Sequence, residues 1–108
     1  MYNEKVKNIF DSVPDNLKEE LFEVLISNPG FKLERIVSSG HSSPPDFWYD
    51  QEKNEFVMLM KGKAVISFED GHSVYLKPGD YMIIPRHMKH RVDMTDTNEN
   101  TYWLALHY

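Results

Sequence analysis

Glu55-Phe-Val-Met-Leu-Met-Lys-Gly62-Lys-Ala-Val-Ile-Ser-Phe-Glu-Asp-Gly71-His-Ser-Val-Tyr-Leu-Lys-Pro-Gly79-Asp-Tyr-Met-Ile-Ile-Pro85-Arg-His-Met-Lys-His90 decides the fold. Short apolar runs alternate with turn chemistry at Lys61-Gly62-Lys63, Glu69-Asp70-Gly71-His72 and Lys77-Pro78-Gly79-Asp80. Apolar runs of about 4–8 residues bounded by Gly, Pro and Asp predict β-strands joined by tight turns. Strands at spacings of roughly 8–12 residues predict a sandwich or barrel. The spacing places strands at about 55–60, 63–69, 73–77, 81–85, 90–94 and 101–107. A carboxylate opens the stretch and an imidazole closes it.

Upstream, Phe31 to Ser38 alternates imperfectly and predicts a first strand, and Phe47 to Gln51 a short aromatic one. The Ser39–Asp46 segment between them is a loop by composition. Before Phe31 lies the chain's one helical signal. Asn16 and Glu19 form a capping-box pattern, Leu17, Leu21, Phe22, Val24 and Leu25 recur at helical spacing, and Asn28-Pro29-Gly30 stops the run. The expected organisation is therefore a helical extension over residues 1–30 and a β-domain over residues 31–108. The extension is read as an α-helix packed on the outside of an all-β fold.

A chain of 108 residues fits one domain. The net charge of −5, with no basic run, argues against nucleic acid as a partner. No window approaches the roughly 18 apolar residues that span a bilayer, so a membrane is not expected. Cysteine is absent, which removes disulfides and thiolate chemistry. Lacking a signal-peptide core at its start, the sequence reads as cytoplasmic. Burial at this size is modest, and a homodimer is expected to add to it.

Side chains in a strand alternate between faces. Glu55, Val57 and Leu59 share one face, as do His90, Val92 and Met94, and Trp103, Ala105 and His107. Tyr49 and Gln51 share another, although a slip of one residue would put Trp48 and Asp50 there instead. If these faces turn inward, Tyr49, Gln51, Glu55, His90 and His107 project into one apolar-lined pocket suited to a small organic ligand. His41, His72 and His87 fall in loops and turns, with His41 able to reach the pocket mouth. No nucleophile elbow and no phosphate-cradling glycine loop is present.

These residues resemble the cupin family. Glu55 precedes Gly62 with six residues between, and Gly79, Pro85 and His90 reproduce the spacing of the family's second motif. The resemblance covers roughly Phe31 to Tyr108. It implies a small antiparallel jelly-roll β-barrel, usually dimeric, that often holds one divalent metal. Of the family's four usual metal ligands, the sequence keeps Glu55 and His90. Neither register of the first ligand strand supplies a histidine, His87 stands where the motif has Gly, and Met94 where it has Asn. A divalent Fe, Mn, Ni or Zn ion would then be held by Gln51, Glu55 and His90, with Tyr49 near the open position and His107 as a supporting group. The alternative is a Glu55–His90 ion pair that needs no metal, with either group as acid or base. Two functional readings follow: a metal-dependent oxygenase, isomerase or decarboxylase, and a non-catalytic module that binds a ligand in the barrel.

Overall fold

In the computed structural model, which describes residues 5–108, the chain forms two antiparallel sheets and no helix. The strands are β1 (Leu21–Asn28), β2 (Phe31–Ser38), β3 (Glu55–Lys61), β4 (Ala64–Phe68), β5 (Ser73–Leu76), β6 (Tyr81–Ile84), β7 (His90–Thr95) and β8 (Thr101–His107). One sheet has the order β1-β2-β8-β3-β6 and the other β5-β4-β7. The two face each other over a core of Val57, Leu59, Ile84 and Trp103 from the first, and Ala64, Ile66, Phe68 and Leu76 from the second. The arrangement is an open double-sheet jelly roll and not a closed barrel. Among the described residues no helix is long and apolar enough to cross a membrane.

The strands from Glu55 onward lie close to where the turn chemistry places them, and in β3 the buried side chains recur every second residue. The expected N-terminal helix does not form. Residues Leu21–Asn28 are strand β1, paired along β2 from Leu21↔Val37 to Asn28↔Phe31. A bulge between Val24 and Ile26 inserts Leu25, and this extra residue makes a strand look helical in its apolar spacing. Phe, Val and Ile suit a pleated surface, and a ready partner strand outweighs a short helix that is marginal by itself. Pro29-Gly30 is the hairpin turn, closed by the Gly30 N–H donating to Asn28 Oδ1 at 2.9 Å.

The outer face of the large sheet is partly covered by an extended strap. Arg35, buried on β2, donates to the Ile9 carbonyl at 3.0 Å and the Asp11 carbonyl at 2.6 Å, and pairs with the Glu23 carboxylate. Phe10 meets Tyr102 edge-on with ring centres 5.1 Å apart. His41 ties the strap's far end. Its Nδ1 accepts from the Ser39 N–H at 2.8 Å, which leaves Nε2 to donate to the Lys18 carbonyl at 3.0 Å.

Two other expectations shift. The Phe47–Gln51 strand reduces to a single bridge between Tyr49 and His90. On β7, a register shift places Thr95, not Met94, opposite the buried Ala64, so Met94 leaves the inner face. Gly62 explains part of the motif spacing. Its φ is +88°, and a Cβ there would stand 2.4 Å from Thr101 Oγ1 and 2.8 Å from Thr101 Cα.

Candidate functional site

The site draws on all five strands of the large sheet, on β4 and β7 of the small sheet, and on the Tyr49–Gln51 segment. β3 supplies Glu55, which pairs across the sheet with His107 of β8 and Ile84 of β6. β8 also pairs with β2, bringing Glu34 opposite Ala105 and Ile36 opposite Trp103. Because opposite residues share a face, Glu34, Ile36, Glu55, Val57, Trp103 and His107 all turn toward the second sheet. From that sheet β7 contributes His90 and Val92. The result is a cavity of about 70 Å³, with Tyr49 and Gln51 on its wall and Glu20 and Phe22 at the β1 end.

Tyr49, Gln51, Glu55 and His90 therefore meet in one cavity, and His107 stands beside them in the Glu55 row. Tyr49 and Gln51, not Trp48 and Asp50, face inward; Asp50 turns out and meets His87 Nδ1 at 2.9 Å. His87 has a φ of +63°, the left-handed conformation that explains a glycine at this place in the family motif. His72 lies in an exposed turn, its ring stacked 4.5 Å from that of Phe68.

His90 is the best-defined group. A carbonyl only accepts, so the 2.9 Å contact to the Met88 oxygen makes His90 Nδ1 the donor. Nε2 is thereby aimed at Glu55, 3.5 Å from Oε1. This is a long contact between two groups that are each more than nine-tenths buried. Tyr49 stacks on the imidazole with ring centres 5.5 Å apart, and backbone bonds of 2.7 and 3.1 Å hold the two residues together. Burial alone would lower the His90 pKa. Contact with the Glu55 carboxylate, the Met88 carbonyl bond and the Glu55 charge outweigh that and hold it above its ordinary 6.5. Burial first, then the charges of Glu20 and Glu55, push the Tyr49 phenol above 10.0, so Tyr49 is a neutral hydrogen-bond donor.

A second carboxylate–imidazole pair lies alongside. His107 Nε2 stands 2.8 Å from Glu34 Oε1, and Lys32 Nζ is 3.7 Å from Glu34 Oε2. Sequence reasoning missed Glu34, Glu20 and Phe22. Glu34 and Ile36 are two residues apart, but only the pairing of β2 with β8 shows that their face is the inner one.

The cupin domain model matches residues 34–107. The chain belongs to the cupin family. A crystal structure from Ralstonia eutropha JMP134, whose proposed activity is that of a mannose-6-phosphate isomerase, is 43% identical over 95% of this chain and 96% of its own, with a TM-score of 0.91. A cupin superfamily protein from Desulfitobacterium hafniense DCB-2 superposes with a TM-score of 0.73 at 17% identity, over 88% of this chain and 82% of its own. The Fe(II) form of HppE does so at 0.72 and 16% identity, over 89% of this chain and 53% of its own. No curated protein matches the sequence at a significant level.

The resemblance drawn from the motifs implies a divalent metal, and the donors around this cavity test whether it fits. A first-row divalent ion takes three or four N or O donors at about 2.0–2.2 Å. Among the described residues no three His, Cys, Asp or Glu side chains converge to hold one. Glu55 and His90 are two donors, and a third would have to come from the neutral Gln51 amide on the same wall. This donor set does not fit the four-ligand site of the family, and no step below is routed through a metal.

Proposed function

We propose that this cupin binds a small organic molecule between its sheets, and that Glu55 and His90 together move a proton on it. One observation carries the reading. The Met88 carbonyl fixes the tautomer of His90, so that Nε2 and the Glu55 carboxylate, both largely buried, converge in the cavity without closing on each other. Nε2 takes a proton from a C–H next to a carbonyl; the electron pair moves to the carbonyl oxygen. Glu55 stabilises the imidazolium, the proton of a hydroxyl on the same carbon passes to the new oxyanion, and the imidazolium returns its proton to the former carbonyl carbon as the second oxygen becomes the carbonyl. Tyr49, held neutral, donates a hydrogen bond to the developing oxyanion. The proposed isomerase activity of the Ralstonia relative supports this class, since isomerisation between adjacent carbons is a proton transfer.

The test is exchange of substrate C–H protons in D2O, followed by NMR on chelator-treated protein with a panel of small hydroxy-carbonyl compounds. Wild type should exchange the proton, and Glu55→Gln and His90→Gln should not. Exchange that depends on an added divalent ion would sink the metal-free reading. The lack of a third ionisable donor favours a second reading, a module that holds its ligand without turnover; binding with no exchange would select it.

A homodimer is proposed through the outer face of the large sheet. Its cross-strand row Ile26–Leu33–Leu106–Phe56–Ile83 is apolar, and Ile26 and Ile83 are more than half exposed. Light scattering should give twice the 12.7 kDa chain mass. A monomer would contradict it.

A further inference from the structure

Resting on the reading of this cavity as a ligand site, we propose that its ligand is a small organic cation: a hydroxy-carbonyl compound that also carries a protonated amine on a short apolar body. Three carboxylates, Glu20, Glu34 and Glu55, line the cavity; among the described residues no lysine or arginine does, and His90 is the one basic side chain on its wall. Their charges are not equally compensated. Glu34 is matched by His107 and Lys32. Among the described residues Glu20 meets no cation, and its partner is the Ser38 hydroxyl, which donates at 2.6 Å. Glu55 is 7% exposed, makes no hydrogen bond among the described residues, and has only the 3.5 Å contact to His90. A buried carboxylate of this kind is costly unless a cation meets it.

Tyr49 senses two of these charges: Glu20 and Glu55 each disfavour its phenolate. The rest of the wall suits the body of such a ligand. Phe22, Ile36 and Trp103 form an apolar flank, and aromatic faces add attraction for an ammonium group. Phosphates and carboxylates are disfavoured by the same charges. Lys32 and Lys53 line an adjoining surface groove with Gln51, Glu52 and His107, and Lys32 is engaged by Glu34. A sugar phosphate therefore suits this cavity less well than a simple amine does.

The experiment titrates the full chain with n-butylammonium, n-butanol, butyrate and inorganic phosphate, reading affinity from the Trp103 indole NMR signal. Expected is binding of butylammonium at least about tenfold tighter than butanol, from one charge-assisted contact. Butyrate and phosphate should not bind in the cavity. Glu20→Gln should lower butylammonium affinity about tenfold and leave butanol unchanged; an intact near-UV spectrum establishes that this variant is folded. Raising salt should weaken the amine alone. If butanol binds as tightly as butylammonium, or Glu20→Gln changes nothing, the cation assignment is overturned while the ligand site stands. Butyrate or phosphate moving the Trp103 signal with equal or higher affinity overturns it too. If none of the four probes binds, the cation assignment fails, and proton exchange on the hydroxy-carbonyl panel decides the site reading separately.

Discussion

Two carboxylate–imidazole pairs stand side by side in this protein, and they are built differently. His107 and Glu34 meet at 2.8 Å, with Lys32 on the second carboxylate oxygen. His90 and Glu55 stand 3.5 Å apart, with His90 pinned from behind by the Met88 carbonyl and overlaid by Tyr49. Both pairs are largely buried. The first satisfies itself, whereas the second leaves a carboxylate and a ring nitrogen short of partners. A protein interior keeps such groups where something else completes them, so the tight pair is assigned to structure and the loose pair to function.

The largest expected effect bears on the loose pair. Glu55→Gln should cut proton exchange by about 10²–10⁴-fold, the usual contribution of a positioned acid or base, and leave the melting temperature nearly unchanged. If the variant unfolds at a much lower temperature, the loose pair is structural as well and the contrast collapses. The tight pair should give the converse. His107→Gln loses a charge-assisted bond and should cost about 2 kcal/mol. For a domain of this size that lowers the midpoint by roughly 10 °C in a thermal melt. Exchange activity at 25 °C should stay within a few-fold of wild type.

A double-mutant cycle on each pair sharpens the distinction at a smaller scale. In denaturant unfolding above the pH range in which His90 loses its proton, coupling between Glu34 and His107 should exceed about 1 kcal/mol, and coupling between Glu55 and His90 should be the smaller of the two. Equal couplings would mean that the difference between 2.8 and 3.5 Å carries no energetic content.

What could be read from the sequence divides along the same line. Glu55 and His90 stand out because each opens a strand right after turn chemistry, and alternation alone turns them inward with Val57 and Val92. Glu34 does not stand out. It lies on β2, a strand of mixed polarity whose outer face is also covered, by the strap that Arg35 holds. With apolar residues on both faces, alternation no longer says which side is in; the pairing of Glu34 with Ala105 does. Leu25 illustrates a second limit. One bulge residue turned the period of two in β1 into apparent helical spacing, and the outcome depended on a partner strand contributed by residues farther along the chain. Thr95 replaced Met94 inside for a similar reason, a register shift on β7 that follows from pairing and not from composition.

The smallest expected effect is a pH dependence that belongs to the loose pair alone. The folded protein holds the His90 pKa above 6.5, through Glu55 and the Met88 carbonyl and against burial beside Tyr49 and Phe68. Folding therefore favours protonated His90. Its contribution to stability is complete below the unfolded value near 6.5 and is lost as pH rises through the folded value. Denaturant unfolding measured at intervals from pH 5.5 upward should show this decline. His90→Gln should abolish it, Glu55→Gln should reduce it by removing the neighbouring charge, and His107→Gln should leave it in place. Persistence of the full decline in His90→Gln would assign it to another group, and the Glu55 carboxylate would lose its claim to be the partner that holds a proton on Nε2. The same titration bears on chemistry. Nε2 can accept a substrate proton only once its own has left, so exchange should rise over the pH range in which stability falls. One group driving both curves in opposite directions would link the looseness of the Glu55–His90 pair directly to its use.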